Sequence, residues 1–182
     1  TGLSAPSAQC DAGYHCPVGQ AVAAPPGNIC DPGYHCAVGS TVQTQCAVGQ
    51  YQPAAGSADC IACPAGQYID VLGSDALSDC IECVVGKYVV VLGSGAASDC
   101  IDCPAGTYLD VIGSDELADC IDCVAGKYVD TPGVGSLAGC IDCPAGQYVV
   151  ATGSNAVADC IDCAAGKYVI LTGSVADTDC ID

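Results

Sequence analysis

The sequence predicts a small, disulfide-rich, all-β protein: an elongated, solenoid-like rod of 20-residue repeats built from short strands and loops, with no helices. Three observations lead to this fold class. The 182-residue chain carries 18 Cys and lacks Met, Trp and Phe. From Cys60 onward, one motif returns every 20 residues without insertion or deletion. No stretch shows the spacing of three to four positions between apolar residues that marks an amphipathic helix.

The cysteines take the place of a conventional hydrophobic core. Of the residues, 51% are hydrophobic and only 5% aromatic, and most of the hydrophobic ones are Ala, Val and Cys. A globular core needs large aliphatic and aromatic groups packed at high density. Such a cysteine content is typical of a secreted scaffold whose covalent cross-links compensate for a thin core. Because the number of cysteines is even, every thiol can be paired.

Each repeat has a fixed order of residue types. Residues 63–68 read Cys-Pro-Ala-Gly-Gln-Tyr, residues 73–74 read Gly-Ser, and residues 79–82 read Asp-Cys-Ile-Glu. The β-branched segment from Gln67 to Leu72 predicts a strand of five to six residues that ends in a Gly-Ser turn. Residues 79–83 predict a second short strand. A unit of this size cannot bury a hydrophobic face alone, so the repeats are expected to stack on their neighbours.

The chain divides into three regions. Residues 63–182 are six 20-residue repeats, and residues 46–62 are a shortened copy that lacks three residues before Asp59. Residues 1–45 contain Cys-x-x-Gly-Tyr-His-Cys twice, 20 residues apart and in a different phase from the later motif. We interpret them as a variant cap or a preceding module. The motif runs up to Asp182, so the array is expected to continue beyond that residue.

A 40-residue alternation lies over the 20-residue period. Alternate repeats place Lys before the recurring Tyr, where the others have Gln or Thr. The structural unit is therefore interpreted as a pair of repeats. If alternate repeats are related by about a half-turn, the cations form a row on one side of the rod: Lys87, Lys127 and Lys167.

Composition and charge restrict the compartment and the partners. Ten per cent Cys predicts an oxidising environment, outside the cell or on its surface. Twenty-one acidic residues against three Lys give a formal net charge of −18. Such a surface repels nucleic acid and anionic membranes. No apolar stretch approaches the roughly 20 residues that span a bilayer, so we expect neither nucleic acid binding nor membrane insertion in this segment.

The motif resembles the ephrin-receptor-like cysteine-rich repeat, which is related to the repeats of tumour-necrosis-factor receptors. Similar arrays occur in surface antigens and flagellar-hair proteins of protists and algae. The resemblance covers residues 46–182 well and residues 10–45 loosely. It implies that the cysteine opening a repeat pairs with the cysteine that closes its loop. The implied pairs are Cys46–Cys60, Cys63–Cys80, Cys83–Cys100, Cys103–Cys120, Cys123–Cys140, Cys143–Cys160 and Cys163–Cys180. For Cys10, Cys16, Cys30 and Cys36 three connectivities remain open, and the two local pairs are preferred.

Other site chemistry competes with this interpretation. Six Cys-x-x-Cys pairs suggest an alternative zinc-binding array, which needs four converging thiolates. Acidic residues inside five of these pairs weigh against it, as does the secreted composition. His15 and His35 each precede a Cys, and we interpret them as exposed loop residues without a metal or catalytic role. No nucleophile-base set is present, so we expect neither enzymatic activity nor a cofactor.

The remaining recurrent residues are interpreted as structural. The Tyr ring of one repeat can cover the disulfide of the next while its hydroxyl stays in water. Turn serines and one asparagine are candidates for glycosylation, against the default of plain turn residues. They are Ser74, Ser94, Ser114, Ser154, Ser174 and Asn28.

Three functions are compatible with these features. A structural rod in a cell-surface or appendage filament, assembled from copies of the same chain, fits the constant repeat length. A ligand-binding receptor ectodomain would need a repeat that breaks the pattern with aromatic or Arg anchors. No repeat from Cys60 onward does so. The sequence therefore favours the structural rod over the receptor and the zinc-binding array.

Overall fold

The computed structural model describes residues 9–18 and 21–182. Its regular structure consists of two-residue strands and single 3-10 turns, and the described residues contain no α-helix. The strands, β1 to β14, are Tyr34–His35, Thr44–Gln45, Gln50–Tyr51, Ile61–Ala62, Gln67–Tyr68, Ile81–Glu82, Lys87–Tyr88, Ile101–Asp102, Thr107–Tyr108, Ile121–Asp122, Lys127–Tyr128, Ile141–Asp142, Gln147–Tyr148 and Ile161–Asp162. The 3-10 turns are Leu77–Asp79, Ala97–Asp99, Leu117–Asp119, Leu137–Gly139, Val157–Asp159 and Asp177–Asp179. The predicted class, disulfide-rich all-β repeats, is confirmed.

The fold separates into two compact units that do not follow the repeat boundaries. One comprises the described residues up to Ile81 together with 91–99, and the other comprises 82–90 together with 100–182. In the first unit β1 pairs with β2 and β3 with β4, both antiparallel. In the second, β7 pairs with β8, β9 with β10, β11 with β12 and β13 with β14, again antiparallel. Within the described residues, no helix is long and apolar enough to cross a membrane.

Each full repeat is a hairpin whose loop contains a 3-10 turn. In the repeat from Cys103, Tyr108 faces Ile121 across the two strands, and the loop between them includes the 3-10 turn Leu117–Asp119. The predicted strand of five to six residues is wrong, because the strand β5 covers only Gln67–Tyr68. Beyond Tyr68 the backbone pairs with neighbouring repeats rather than with its own hairpin partner.

Successive repeats are joined by backbone hydrogen bonds that recur at the same motif positions. In the second unit, the Leu109 N–H donates to the Val134 carbonyl at 2.9 Å, and the Gly133 N–H donates to the Cys103 carbonyl at 2.9 Å. Tyr108 also forms a parallel bridge with Val134. The predicted stacking of neighbours is confirmed within each unit, and these bonds satisfy backbone groups that the short strands leave free.

Residues 10–45 make the same backbone hydrogen bonds between repeats as the later part of the chain. We call this pattern of bonds the backbone frame. The Gly39 N–H donates to the Cys10 carbonyl at 2.8 Å, just as the Gly133 N–H donates to Cys103. In both regions a glycine follows the opening cysteine by three residues, as Gly13 follows Cys10. The different phase of the motif in residues 1–45 therefore does not change these backbone contacts, and the division at residue 45 stays a prediction.

Candidate functional site: a disulfide ladder covered by tyrosine or histidine

All 18 cysteines lie in nine disulfides, and none is free. Seven bridges join the pairs that the resemblance implies, from Cys46–Cys60 to Cys163–Cys180. The other two are the local pairs Cys10–Cys16 and Cys30–Cys36. The Cα atoms of the bridged residues are 5.7 to 6.2 Å apart, inside the usual range for a disulfide. We call this series the disulfide ladder and each of its bridges a rung.

Three of the rungs have a small apolar core around their sulfurs. Ile69 is fully buried against the bridge Cys63–Cys80, and Tyr51 of the preceding repeat packs against this cluster. Tyr108 packs in the same way against the cluster of Cys123, Val129 and Cys140, and Tyr128 against that of Cys143, Val149 and Cys160. The prediction that the Tyr ring covers the next repeat's disulfide is confirmed.

In the first two repeats a histidine occupies the position of this tyrosine. We call these two repeats, residues 10–29 and 30–45, the histidine repeats. His15 and His35 follow their opening cysteine by five residues, as Tyr51 follows Cys46. Both imidazoles are half-buried, so the prediction that they are exposed loop residues is wrong. The shared spacing was visible in the sequence.

Each imidazole lies beside the disulfide of the following repeat. The His35 Nδ1 is 3.4 Å from the Cys60 Sγ. A ring nitrogen of His35 and the sulfurs of Cys46 and Cys60 all lie within 4.8 Å of one another, and so do the corresponding atoms of His15, Cys30 and Cys36. The His15 Nδ1 is buried and has no hydrogen-bond partner among the described residues. Two disulfides therefore have an imidazole neighbour in place of a phenol ring.

The alternative of a zinc array is contradicted by the bridging. The two cysteines of each Cys-x-x-Cys pair belong to different rungs: Cys60 bonds to Cys46, and Cys63 bonds to Cys80. A sulfur in a disulfide is not a thiolate, and the thiolate is the metal ligand. The Cys-x-x-Cys spacing here marks the junction between two rungs.

The predicted glycosylation sites divide into two groups. The turn serines are buried, with 4 to 8% of their surface exposed. Five of the six full repeats place this serine against the tyrosine of the preceding repeat, as in the parallel bridge between Tyr68 and Ser94, and the repeat from Cys123 has Val134 there instead. A sugar on these hydroxyls would need to occupy that junction, so burial weighs against O-glycosylation of the folded chain. Modification stays a prediction for Ser74, Ser94, Ser114, Ser154 and Ser174. Asn28 is half-buried, and its modification stays a prediction.

The aspartate that precedes the closing cysteine in the later repeats, except at Cys140, has a structural role that sequence reasoning missed. The Asp99 carboxylate accepts hydrogen bonds from the N–H groups of Gly95 at 2.9 Å and Ala96 at 3.0 Å. These bonds hold the start of the 3-10 turn Ala97–Asp99. A short acidic residue that caps backbone N–H groups is a common signature of a turn start. The recurring Asp could therefore have predicted this turn from the sequence.

Two of the three lysines form cross-strand ion pairs. The Lys87 Nζ is 2.5 Å from Asp102 Oδ1, and the Lys127 Nζ is 2.5 Å from Asp142 Oδ1. In the alternate repeat, the Gln147 Nε2 donates to Asp162 Oδ1 at 2.9 Å. At this position the repeat from Cys143 therefore has a hydrogen bond from an uncharged amide to a carboxylate where the lysine repeats have an ion pair. The arrangement of the three lysines in a row stays a prediction.

Clefts lie at two kinds of place in the described part of the chain. One of about 500 Å³ is lined by His15, Pro17, Val18 and the segment 41–43. Another, of about 580 Å³, lies inside the loop of the repeat from Cys63 and is lined by Val71, Leu72 and Ile81 among others. The equivalent loop of the repeat from Cys143 has a cleft of about 470 Å³, so the feature recurs with the motif.

Comparison with protein families identifies the repeat. The family model described as tyrosine-protein kinase ephrin type A/B receptor-like matches three successive segments, residues 33–80, 73–120 and 112–160. A comparison with curated proteins found no match. The matched segments together cover residues 33–160, which is more than half of the chain and includes most of the disulfide ladder. The chain therefore belongs to the ephrin-receptor-like family of cysteine-rich repeats.

Proposed function

We propose that this chain is an extracellular structural protein, a repeat array that forms part of a cell-surface or appendage filament through contacts with copies of itself. Nine disulfides and membership of the family indicate an extracellular location. The role of a filament subunit is supported by the constant repeat length and by the covalent bridge in every repeat. It requires no catalytic group.

The observation that carries the proposal is an exposed apolar surface that recurs with the repeat. Leu72, Leu92 and Ile112 occupy one motif position and are 58 to 66% exposed. The recurring Ile before each repeat junction is 44 to 52% exposed, at positions 61, 81, 101, 121, 141, 161 and 181. Isolated exposed apolar residues are ordinary on protein surfaces. Their return at fixed motif positions in each unit instead gives repeated apolar contact points, which suit periodic contact with a second copy.

The net charge sets a condition on this assembly. With a formal charge of −18, copies repel one another at low ionic strength. At 0.1 M salt the screening length is about 10 Å, so repulsion between charges further apart than this is weak. Apolar contact between copies is therefore expected to strengthen as salt is raised. An interface held by ion pairs would weaken under the same change.

A receptor ectodomain is the second candidate, and the matched family favours it through its receptor description. A receptor of this kind would bind a soluble ligand as a monomer. It would use side chains that differ from the repeat consensus, such as those of the histidine repeats and the cleft beside His15. The two functions therefore predict different oligomeric states.

The test is sedimentation velocity and electron microscopy of the oxidised chain, with a triple variant at the apolar position. Leu72→Asp, Leu92→Asp and Ile112→Asp together are expected to abolish assembly that the wild type shows in 0.15 M salt. The matched control places three Asp on exposed residues of the 3-10 turns, Ser78, Ser98 and Ala118. It adds the same charge and is expected to assemble. A wild-type chain that stays monomeric across salt concentrations would contradict the filament role.

A further inference from the structure

We propose that the disulfide Cys46–Cys60 is a thiol-reactive site, at which His35 promotes exchange with a small external thiol to leave a mixed disulfide on Cys60. This site lies where the histidine repeats meet the later array. The proposal does not depend on the filament role, because it concerns the chemistry of a single chain.

Exposure determines which sulfur an incoming thiol can reach. Cys46 is fully buried, with 0% of its surface exposed, whereas Cys60 is half-buried. Disulfide exchange requires a thiolate to contact the sulfur that it attacks. Of the two residues only Cys60 is partly exposed, so in this proposal its sulfur is attacked and the Cys46 sulfur is the leaving group.

The imidazole of His35 stands next to the sulfur that is attacked. Its Nδ1 is 3.4 Å from the Cys60 Sγ, and a ring nitrogen lies within 4.8 Å of both sulfurs of the bridge. A thiol that approaches Cys60 thus comes within reach of a base. Histidine is the side chain best suited to accept and return a proton near neutral pH.

The exchange balances without an oxidant. The incoming thiol gives its proton to the imidazole, and its sulfur forms a bond to the Cys60 sulfur. The bond between the two cysteine sulfurs breaks, and its electron pair stays on the Cys46 sulfur. The imidazolium then returns the proton to Cys46, which leaves one free thiol and one mixed disulfide. Because all 18 cysteines of the chain are paired, the incoming thiol comes from another molecule.

Two other rungs each have half of this arrangement and serve as internal controls. Cys30–Cys36 has His15 beside it, but both of its sulfurs are fully buried at 0% exposure. Cys103–Cys120 includes a half-buried residue, Cys120, but Tyr88 holds the position that corresponds to the histidine. If both exposure and an imidazole are needed, neither control rung reacts as fast as Cys46–Cys60.

The first measurement is the order in which the bridges open. The oxidised chain is incubated with millimolar reduced glutathione, free thiols are alkylated at intervals, and peptide mass spectrometry locates the modified cysteines. We expect Cys46–Cys60 to open at least tenfold faster than Cys30–Cys36 or Cys103–Cys120, since general-base assistance commonly gives a hundredfold or more. Glutathione should be found on Cys60 and the alkylating label on Cys46. The reverse placement, or another rung opening first, would overturn the proposal.

The second measurement separates the imidazole from exposure. His35→Tyr installs the residue that the later repeats use at this position, and it should slow the opening of Cys46–Cys60 at least tenfold. Tyr88→His supplies an imidazole to the exposed control rung and should accelerate the opening of Cys103–Cys120. Circular dichroism and unchanged opening rates at the remaining bridges verify folding. If His35→Tyr leaves the rate as in the wild type, exposure alone explains the reactivity and the role of His35 is refuted.

Discussion

The histidine repeats and the 20-residue repeats share a backbone frame but differ in the way that they are cross-linked. In both regions the opening cysteine's carbonyl accepts an N–H from a glycine of the next repeat, Gly39 to Cys10 and Gly133 to Cys103. In the histidine repeats the opening cysteine bonds to a cysteine six residues on, as in Cys30–Cys36. In the 20-residue repeats it bonds to a cysteine 17 residues on. The frame is therefore independent of the cross-link.

The difference depends on the residue that fills the small core of each repeat. Ile69 and Leu109 lie six residues after their opening cysteines and are buried, with 0 and 1% exposure. In the histidine repeats Cys16 and Cys36 hold this position. A cysteine at the core position has its sulfur next to the opening cysteine, so the bridge closes locally. Where the core position is aliphatic, the opening cysteine bonds to the end of the loop.

Substitution of the frame glycine is expected to have the largest effect, and it tests whether the frame is shared. Gly86 has φ +82°, and a Cβ there would overlap the carbonyl oxygen of Gly133; Gly13 has φ +84° and stands in the same relation to Gly56. Gly86→Ala and Gly13→Ala should each destabilise the protein by roughly 3–5 kcal/mol, the range for strain combined with overpacking. Denaturant unfolding of the oxidised chain measures this.

Gly166→Ala is the matched control for these glycine variants. Gly166 has φ +93°, but a Cβ there would meet open space. Only the cost of the left-handed backbone remains, about 1–2 kcal/mol. If Gly13→Ala costs no more than this control, the histidine repeats do not use the frame as the later repeats do.

Removal of a single bridge should distinguish the two kinds of cross-link by a smaller margin. Replacing both Cys103 and Cys120 by Ala opens a loop of 17 residues, whereas replacing both Cys10 and Cys16 opens one of six. The chain-entropy relation gives losses of about 3 and about 2 kcal/mol respectively. Equal losses in denaturant unfolding would show that loop length is not what separates the two regions.

The sequence predicted the parts of this molecule that depend on cysteine and glycine spacing. The 20-residue period appears as a stack of repeats within each unit, and the rungs from Cys46–Cys60 onward join the pairs that the family resemblance implies. The packing of Tyr51 against the disulfide of the next repeat was also predicted. Each of these features follows from residues that recur at one position, which a single sequence displays directly.

The features that sequence reasoning missed are those decided by contacts between repeats. The predicted strand from Gln67 to Leu72 stops at Tyr68, because the Ile69 N–H donates to Ser94 of the next repeat at 3.0 Å. The same junction buries Ser74 and Ser94, which alternation of polar and apolar residues does not indicate. The position of His35 was readable from its spacing to Cys30, but its contact with Cys60 depends on how one repeat lies on the next.

The smallest expected effect concerns the exposed pair that gives the later repeats their 40-residue alternation. Lys87 and Asp102 face each other across two strands, with 34 and 45% of their side chains exposed. Solvent screens an ion pair at such a site, and the median contribution of surface pairs is about 0–1 kcal/mol. Gln147 already replaces the lysine in an alternate repeat and donates to Asp162 at 2.9 Å, so Lys87→Gln keeps a cross-strand hydrogen bond. We expect a change in unfolding free energy of about 0.5 kcal/mol or less, shrinking further as salt is raised. A loss above about 1 kcal/mol in denaturant unfolding would mean that the alternation is a determinant of stability, and that the two regions differ at this surface position as well as in their cores.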